Sequence, residues 1–462
     1  VTFTVGLRYD WYTSDDTPTF NQNFKDRYGY SNSQNLDGVD LLQPRLGVNW
    51  IYNDQLELRG GIGLYSGGNP NVWISNSYSN DGVRNVQVNQ RNMQILGADA
   101  VPFNGSGLPG YDIPQSLYDT VGLGGADADV NVTDPDFEIP SEWKFSLGGT
   151  YITEDNYVFN VDYLYTDKRN SAIVQNLAYE QTGTAPDGRP IYNGGSDFLL
   201  TNVDGDDAYS HILSFGMSKS FDNGIDLSLS YAYTESKDVH PMTSSVAFSN
   251  YHGIAVSDSE NPGVATSNYE IPHRFTMSLA YSYELFDGYD TKFNLFGQAS
   301  KTSPYSYSFE NENNFTFGYN DNARQLLYIP NVDDSLVTYG PDFDLDGFNE
   351  WIGNEGLSRG EILDRNSIDG AWWVTFDLKV EQEFAGFKDG HKGAAYFTIA
   401  NIGNMLNDDW GVLESGSSLQ SAVTADIVDG KYVYNNFNKP AGDSIEVNPS
   451  LWELRVGIKY DF

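Results

Sequence analysis

The sequence predicts an all-β chain folded as an antiparallel transmembrane β-barrel, with short periplasmic turns and long extracellular loops. Three observations predict it. Twelve segments alternate apolar and polar residues with a period of two. The connections between them alternate short and long without exception, and aromatic residues gather near the segment ends.

The composition fits many strands and turns: aromatics make up 15% of the 462 residues, and glycine supplies 46. No apolar run approaches the roughly 18 residues of a membrane-crossing helix. Average hydropathy would therefore assign the chain to water, but barrels hide their apolar residues in alternation. The absence of cysteine excludes disulfides, cysteine-bound zinc, iron–sulfur clusters and cysteine nucleophiles. A formal charge of −38 repels phosphate backbones, so nucleic acid is not an expected partner. The ordinary reading of that charge is acidic loops that stay solvated; the functional one is attraction of divalent cations or basic ligands.

The first strand is explicit. Phe3, Val5, Leu7, Tyr9 and Trp11 take one face, and Thr2, Thr4, Gly6, Arg8 and Asp10 the other. The next strands are expected near 42–52, 55–65, 142–152, 157–168, 209–220, 225–236, 273–285, 291–302, 372–384, 394–402 and 451–462. Ile225, Leu227, Leu229, Tyr231 and Tyr233 alternate with Asp226, Ser228, Ser230 and Thr234 in the seventh; only the eleventh has unclear facing. Five connections are short, the tightest being Asn53-Asp54 and Asp222-Asn223-Gly224. Six are long, near 12–41, 66–141, 169–208, 237–272, 303–371 and 403–449. Local structure is expected within 66–141, of a kind its sequence does not name. Ten to twelve residues at about 3.3 Å each, tilted near 45°, cross roughly 25 Å of apolar band. A soluble sandwich is the competing fold, but its strands are commonly shorter and its loops do not sort by parity. Gly60, Gly61 and Gly63 sit within a strand, where they relieve crowding or bend the wall.

The polar faces carry mixed charge, including Arg8, Arg59, Asp162, Arg274, Asp377, Lys379 and Arg455. Such residues suit a water-filled or plugged lumen, and pairing across strands is the structural alternative. No convergent acid–base set is readable, so no enzyme is expected. His240 and His252 share a loop and read as polar loop residues rather than metal ligands. The segment Asp342-Phe343-Asp344-Leu345-Asp346-Gly347, with Glu350 beyond, resembles the start of a calcium loop, in which alternate carboxylates converge on a hard cation. Gly353 stands where an EF-hand needs Glu, so the choice lies between a different calcium loop and an acidic solvated one. No other cofactor is expected.

The final strand ends Tyr460-Asp461-Phe462, and a terminal Phe on such a strand resembles the assembly signal of bacterial outer-membrane barrels. Asn401-Ile402-Gly403-Asn404-Met405-Leu406-Asn407, Ile271-Pro272-His273-Arg274-Phe275 and Asp136-Phe137-Glu138-Ile139-Pro140-Ser141-Glu142-Trp143-Lys144 resemble segments of TonB-dependent outer-membrane receptors, within them the Oar-like subfamily. That resemblance implies a 22-stranded barrel, of which residues 1–462 would be the C-terminal portion, with the plug domain outside this chain. It also implies uptake, or export, of a large solute through a plug-gated lumen, with ligand captured by the long loops. The implied partners are outer-membrane lipid, the plug, the inner-membrane TonB energy-coupling complex and the barrel assembly machinery. The implied location is the bacterial outer membrane. A passive porin or a surface adhesion barrel is the alternative function. Twelve strands alone would leave two unpaired edges, so the chain is expected either to belong to a larger barrel or to close on itself.

Overall fold

A computed structural model describes residues 1–84, 93–97, 100–108, 111–122, 128–203, 207–310, 316–318 and 322–462. Twelve long strands form one antiparallel meander: β1 Thr2–Trp11, β2 Asp40–Ile51, β3 Leu56–Ser66, β4 Ser141–Ile152, β5 Val158–Arg169, β6 Tyr209–Ser220, β7 Ile225–Asp238, β8 His273–Phe286, β9 Tyr289–Lys301, β10 Trp372–Ala385, β11 Lys392–Ala400 and β12 Glu453–Asp461. Each pairs with its sequence neighbours. Among the described residues β1 pairs only with β2, and β12 only with β11, so the two ends of the sheet do not join. No helix among the described residues is long and apolar enough to cross a membrane.

The alternation read from sequence sets the two faces. Leu7 is 71% exposed, Leu147 67% and Ile458 78%, so the apolar face of this sheet covers no protein core. Among the described residues Ala394 is the only buried apolar residue in any of the twelve strands. β11, whose facing was unclear in sequence, sets Phe397 opposite Val456 and Val380 on the apolar side.

The buried cores lie instead in the long connections. These are the first loop (12–39), second (67–140), third (170–208), fourth (239–272), fifth (302–371) and sixth (401–452). Leu36, Ile74, Phe137, Val174, Phe198 and Tyr251 gather one core from the first four loops, with a smaller one around Phe24 and Val130. The fifth and sixth loops supply the largest core, built on Tyr307, Phe309, Phe348, Trp351, Tyr432 and Tyr434.

Short strands frame these cores. Phe198–Asn202 pairs in parallel with Asn131–Thr133 and antiparallel with Ala172–Asn176, tying the second loop to the third. Ser306–Phe309, Leu419–Val428, Lys431–Phe437 and Val337–Tyr339 form a four-stranded sheet across the fifth and sixth loops. The acidic loops therefore also fold around apolar cores. Their apolar residues are scattered among acidic ones along the chain, and only long-range pairing brings them together. Within the second loop the local structure is a helix, Asn71–Ser79, a second at Gln115–Gly122 and the strand Asn131–Thr133; residues 85–92, 98–99, 109–110 and 123–127 lie outside the described residues.

Candidate functional site

The candidate site has two parts: the polar face of the sheet and the folded loops beyond one end of it. Register places the charged strand residues. Directly opposed residues share a face, and the chain of pairs Arg59–Gly148–Asp162–Ser214–Ala232–Arg274–Ser300–Trp373 runs across eight strands. Arg8, Asp377, Lys379 and Arg455 fall on this same face by the alternation of their strands.

The structure brings Arg59 and Asp162 together and leaves the other five sequence-selected residues apart. The guanidinium grips the carboxylate at 2.8 and 2.6 Å and reaches Thr150 at 3.0 Å. It does so across β4, over Gly148, where a Cβ would collide with the Asp162 carboxylate. Arg8 pairs with Asp10 at 2.8 Å, Lys379 with Glu381 at 2.7 Å and Arg455 with Glu453 at 2.8 Å, each two positions along its own strand. Arg274 is exposed and in no ion pair among the described residues. Asp377 accepts the backbone N–H of Asn401 at 2.8 Å.

That last bond explains the Asn-rich segment. Asn401 adopts φ 50°, the left-handed region that Asn tolerates better than most residues. Its side chain donates to the carbonyls of Gly411 and Ser450 at 2.9 and 2.8 Å, clasping the start of the sixth loop to its end. The Pro-His-Arg segment opens β8 in a comparable way. Thr234 donates to the Pro272 carbonyl, and Arg274 takes the polar face. His273 takes the apolar one, accepting from or donating to the Tyr231 hydroxyl at 2.9 Å and stacking near Trp372. His211 meets Tyr163 at 2.6 Å and Tyr165 at 4.9 Å between ring centroids, so aromatic residues and histidine band the loop-side ends of β5, β6, β8 and β10. Both histidines continue the period-two apolar faces of their strands, His211 ahead of Leu213 and Phe215 and His273 ahead of Phe275 and Met277.

Two of the carboxylates in the calcium-like segment start a helix. Asp344 caps the helix Leu345–Glu355, accepting the Gly347 N–H at 2.9 Å, and Asp346 sits in the first turn, where negative charge suits the helix dipole. Phe348, Trp351 and Ile352 of that helix enter the large core. Asp342, Asp344, Asp346 and Glu350 are all exposed, and among the described residues no three His, Cys, Asp or Glu side chains group as metal ligands. An alternate Asp pattern followed by Gly serves as well to start a helix, and the apolar residues after it decide which.

His240 and His252 both lie in the fourth loop, His240 buried and His252 partly covered. The His240 Nε2 donates to the Asn250 carbonyl at 2.8 Å while Nδ1 accepts the Met242 N–H at 2.9 Å, so its ring is neutral. Burial lowers both histidines from 6.5 to about 4, with Arg324 adding to the effect at each. At the chain's end the Tyr460 hydroxyl accepts the Phe387 N–H at 2.9 Å and meets His391 at 3.0 Å, while Phe462 is fully exposed.

A family model described as an outer membrane beta barrel domain matches residues 1–407. No match is found among curated proteins. Solved structures with a similar arrangement include the outer membrane transporter YddB from Escherichia coli, at 11% identity over 92% of this chain and 41% of that one, with a TM-score of 0.41. They include a mutant of the ferric enterobactin receptor PfeA from Pseudomonas aeruginosa, at 9% identity over 91% and 39%, with a TM-score of 0.39. The siderophore receptor PirA from Pseudomonas aeruginosa matches at 10% identity over 79% and 39%, with a TM-score of 0.33. The chain spans about two-fifths of the length of these structures.

Proposed function

The chain belongs to the family of outer membrane beta barrel domains, and from that premise we propose that it forms about half the wall, and the extracellular loops, of an active transporter for a large solute. The observation that carries this is the sheet itself. Its apolar face is exposed along all twelve strands, while among the described residues both edge strands pair on one side only. Lipid cannot satisfy such edges, so the sheet continues into further strands, and a 22-stranded wall encloses a lumen wide enough to need a plug. Arg8, Arg59, Asp162, Arg274, Asp377, Lys379 and Arg455 then face that lumen, where water or the plug solvates them.

The plug and the TonB energy-coupling complex are partners in this reading, and the folded loops are where solute is first met. Tyr460 and Phe462, at the end of β12, are the signal read by the barrel assembly machinery. Deleting Phe462 should lower the amount of folded protein in the outer membrane without changing synthesis. The test of transport uses the intact protein in cells whose inner-membrane coupling complex can be switched off. Uptake that stops with the coupling supports the proposal. Steady conductance in planar bilayers, with uptake indifferent to coupling, would replace it with a passive porin.

A further inference from the structure

The third loop carries a hairpin whose turn covers two charged side chains. Its strands, Tyr179–Thr184 and Pro190–Gly194, leave Glu180, Gln181, Asn193 and Gly194 in solvent, whereas Ala185 and Arg189 of the turn are buried and only its apex, Gly188, is exposed. A surface hairpin normally presents its tip to water. Here Ala185 is 4% exposed and Arg189 3%, and the Asp187 and Arg189 side chains form an ion pair at 2.7 Å that is almost wholly covered.

The turn is locally sound. Ala185 N–H donates to the Arg189 carbonyl at 2.9 Å, and Gly188 supplies the φ of +93° that the turn needs. Its tip is inserted in another loop's core. The Arg189 guanidinium lies 5.5 Å from the Phe309 ring and 5.3 Å from the Phe317 ring. Its Nη1 donates to the Leu326 carbonyl at 2.7 Å and to Gln325 Oε1 at 3.2 Å. The fourth loop meets the same point: Gln325 donates to Ser259 Oγ at 3.1 Å, and Val256 and Leu326 exchange backbone bonds with the fifth loop and fourth loop respectively.

We propose that this hairpin is a reversible latch that couples the core of the first four loops to the core of the fifth and sixth, so that opening of the loop layer proceeds by withdrawal of its tip. The inference rests on the reading that these loops lie over the mouth of a barrel. A charged tip is the physical reason for reversibility. A buried ion pair gains little net stability because its desolvation nearly cancels its attraction, and a withdrawn tip recovers hydration in full. An apolar tip of the same shape would stay in.

Hydrogen exchange on the full-length protein in detergent tests this without any transport measurement, so its failure is distinguishable from failure of the transporter reading. Arg189→Ala leaves Asp187 unpaired. It should speed exchange by roughly a hundredfold at 179–194, 254–259 and 305–310 together, leaving the β1–β12 strands and the Phe24 core unchanged. The double change Asp187→Leu with Arg189→Met should slow exchange at those same segments several-fold. Faster exchange confined to 185–189 would overturn the latch, as would equal acceleration throughout the loops. Acceleration by the apolar double variant, matching that of Arg189→Ala, would overturn it too.

Discussion

The wall and the loops of this molecule bury opposite things. In β1–β12 the large apolar side chains are the exposed ones, and most polar residues sit among their own kind on the other face. In the six loops aromatics build covered cores, with Phe348, Tyr432 and Tyr434 wholly buried, although others such as Tyr111 and Tyr269 stay exposed. The same residue types thus serve two solvents. A chain region facing lipid needs no core, because hydrocarbon is the apolar phase; a region facing water must build one.

The strongest way to break this comparison is to empty the loop core. Trp351→Ala should destabilise the fifth and sixth loops by about 3–5 kcal/mol while the strands persist, which proteolysis of the loops against circular dichroism of the sheet would resolve. Next comes a charge on the wall. Leu147→Arg, at the middle of β4, should cost about 2–4 kcal/mol in a bilayer folding titration if the face meets hydrocarbon. A cost near zero would mean the face meets water, and the comparison would fall.

Acid separates the regions next. The unfolded chain takes up a proton on each histidine near pH 6.5, whereas folded His240 and His252 do so only near 4, beside Arg324 and, for His240, Arg365 and Asp238. The unfolded state therefore binds more protons between these values, so loop stability falls as pH drops from about 6.5 to about 4. The loss from His240 amounts to at most about 3 kcal/mol. Loop exchange measured across that range should accelerate and then level; His240→Gln should flatten much of the slope.

Smaller effects sharpen the picture. Gly148→Ala pushes Asp162 off Arg59 and should cost about 1–2 kcal/mol, mostly from the collision, since the pair is only half-buried. Asp344→Ala removes a helix cap and should cost about 1 kcal/mol in loop stability, read by denaturant titration of the loops.

The twelve wall strands were legible in sequence because each is set by local alternation, and the ladder then adds neighbours in order. Val158–Arg169 and Trp372–Ala385 fall within two residues of their expected places. The loop strands were not legible. Ser306–Phe309 pairs with Leu419–Val428 across more than a hundred residues, and four residues hold too few periods to show a face. The cap at Asp344 was not legible for a related reason: a helix start there is settled by whether Phe348 and Trp351 find a core. Arg59 was picked as a polar-face residue, but its partner Asp162 lies two strands away, and the glycine between them gave no sign of its purpose.

By itself, then, the sequence determined which residues alternate, where each wall strand begins and ends, and that long and short connections take opposite sides. These follow from a period of two and from turn chemistry, both local properties. Tertiary structure alone decided that the acidic loops fold into cores, that Asn401 clasps the sixth loop and that Arg189 is carried into a neighbour's core. Those outcomes depend on side chains far apart in the chain meeting in space, and burial is a property of that meeting rather than of any segment.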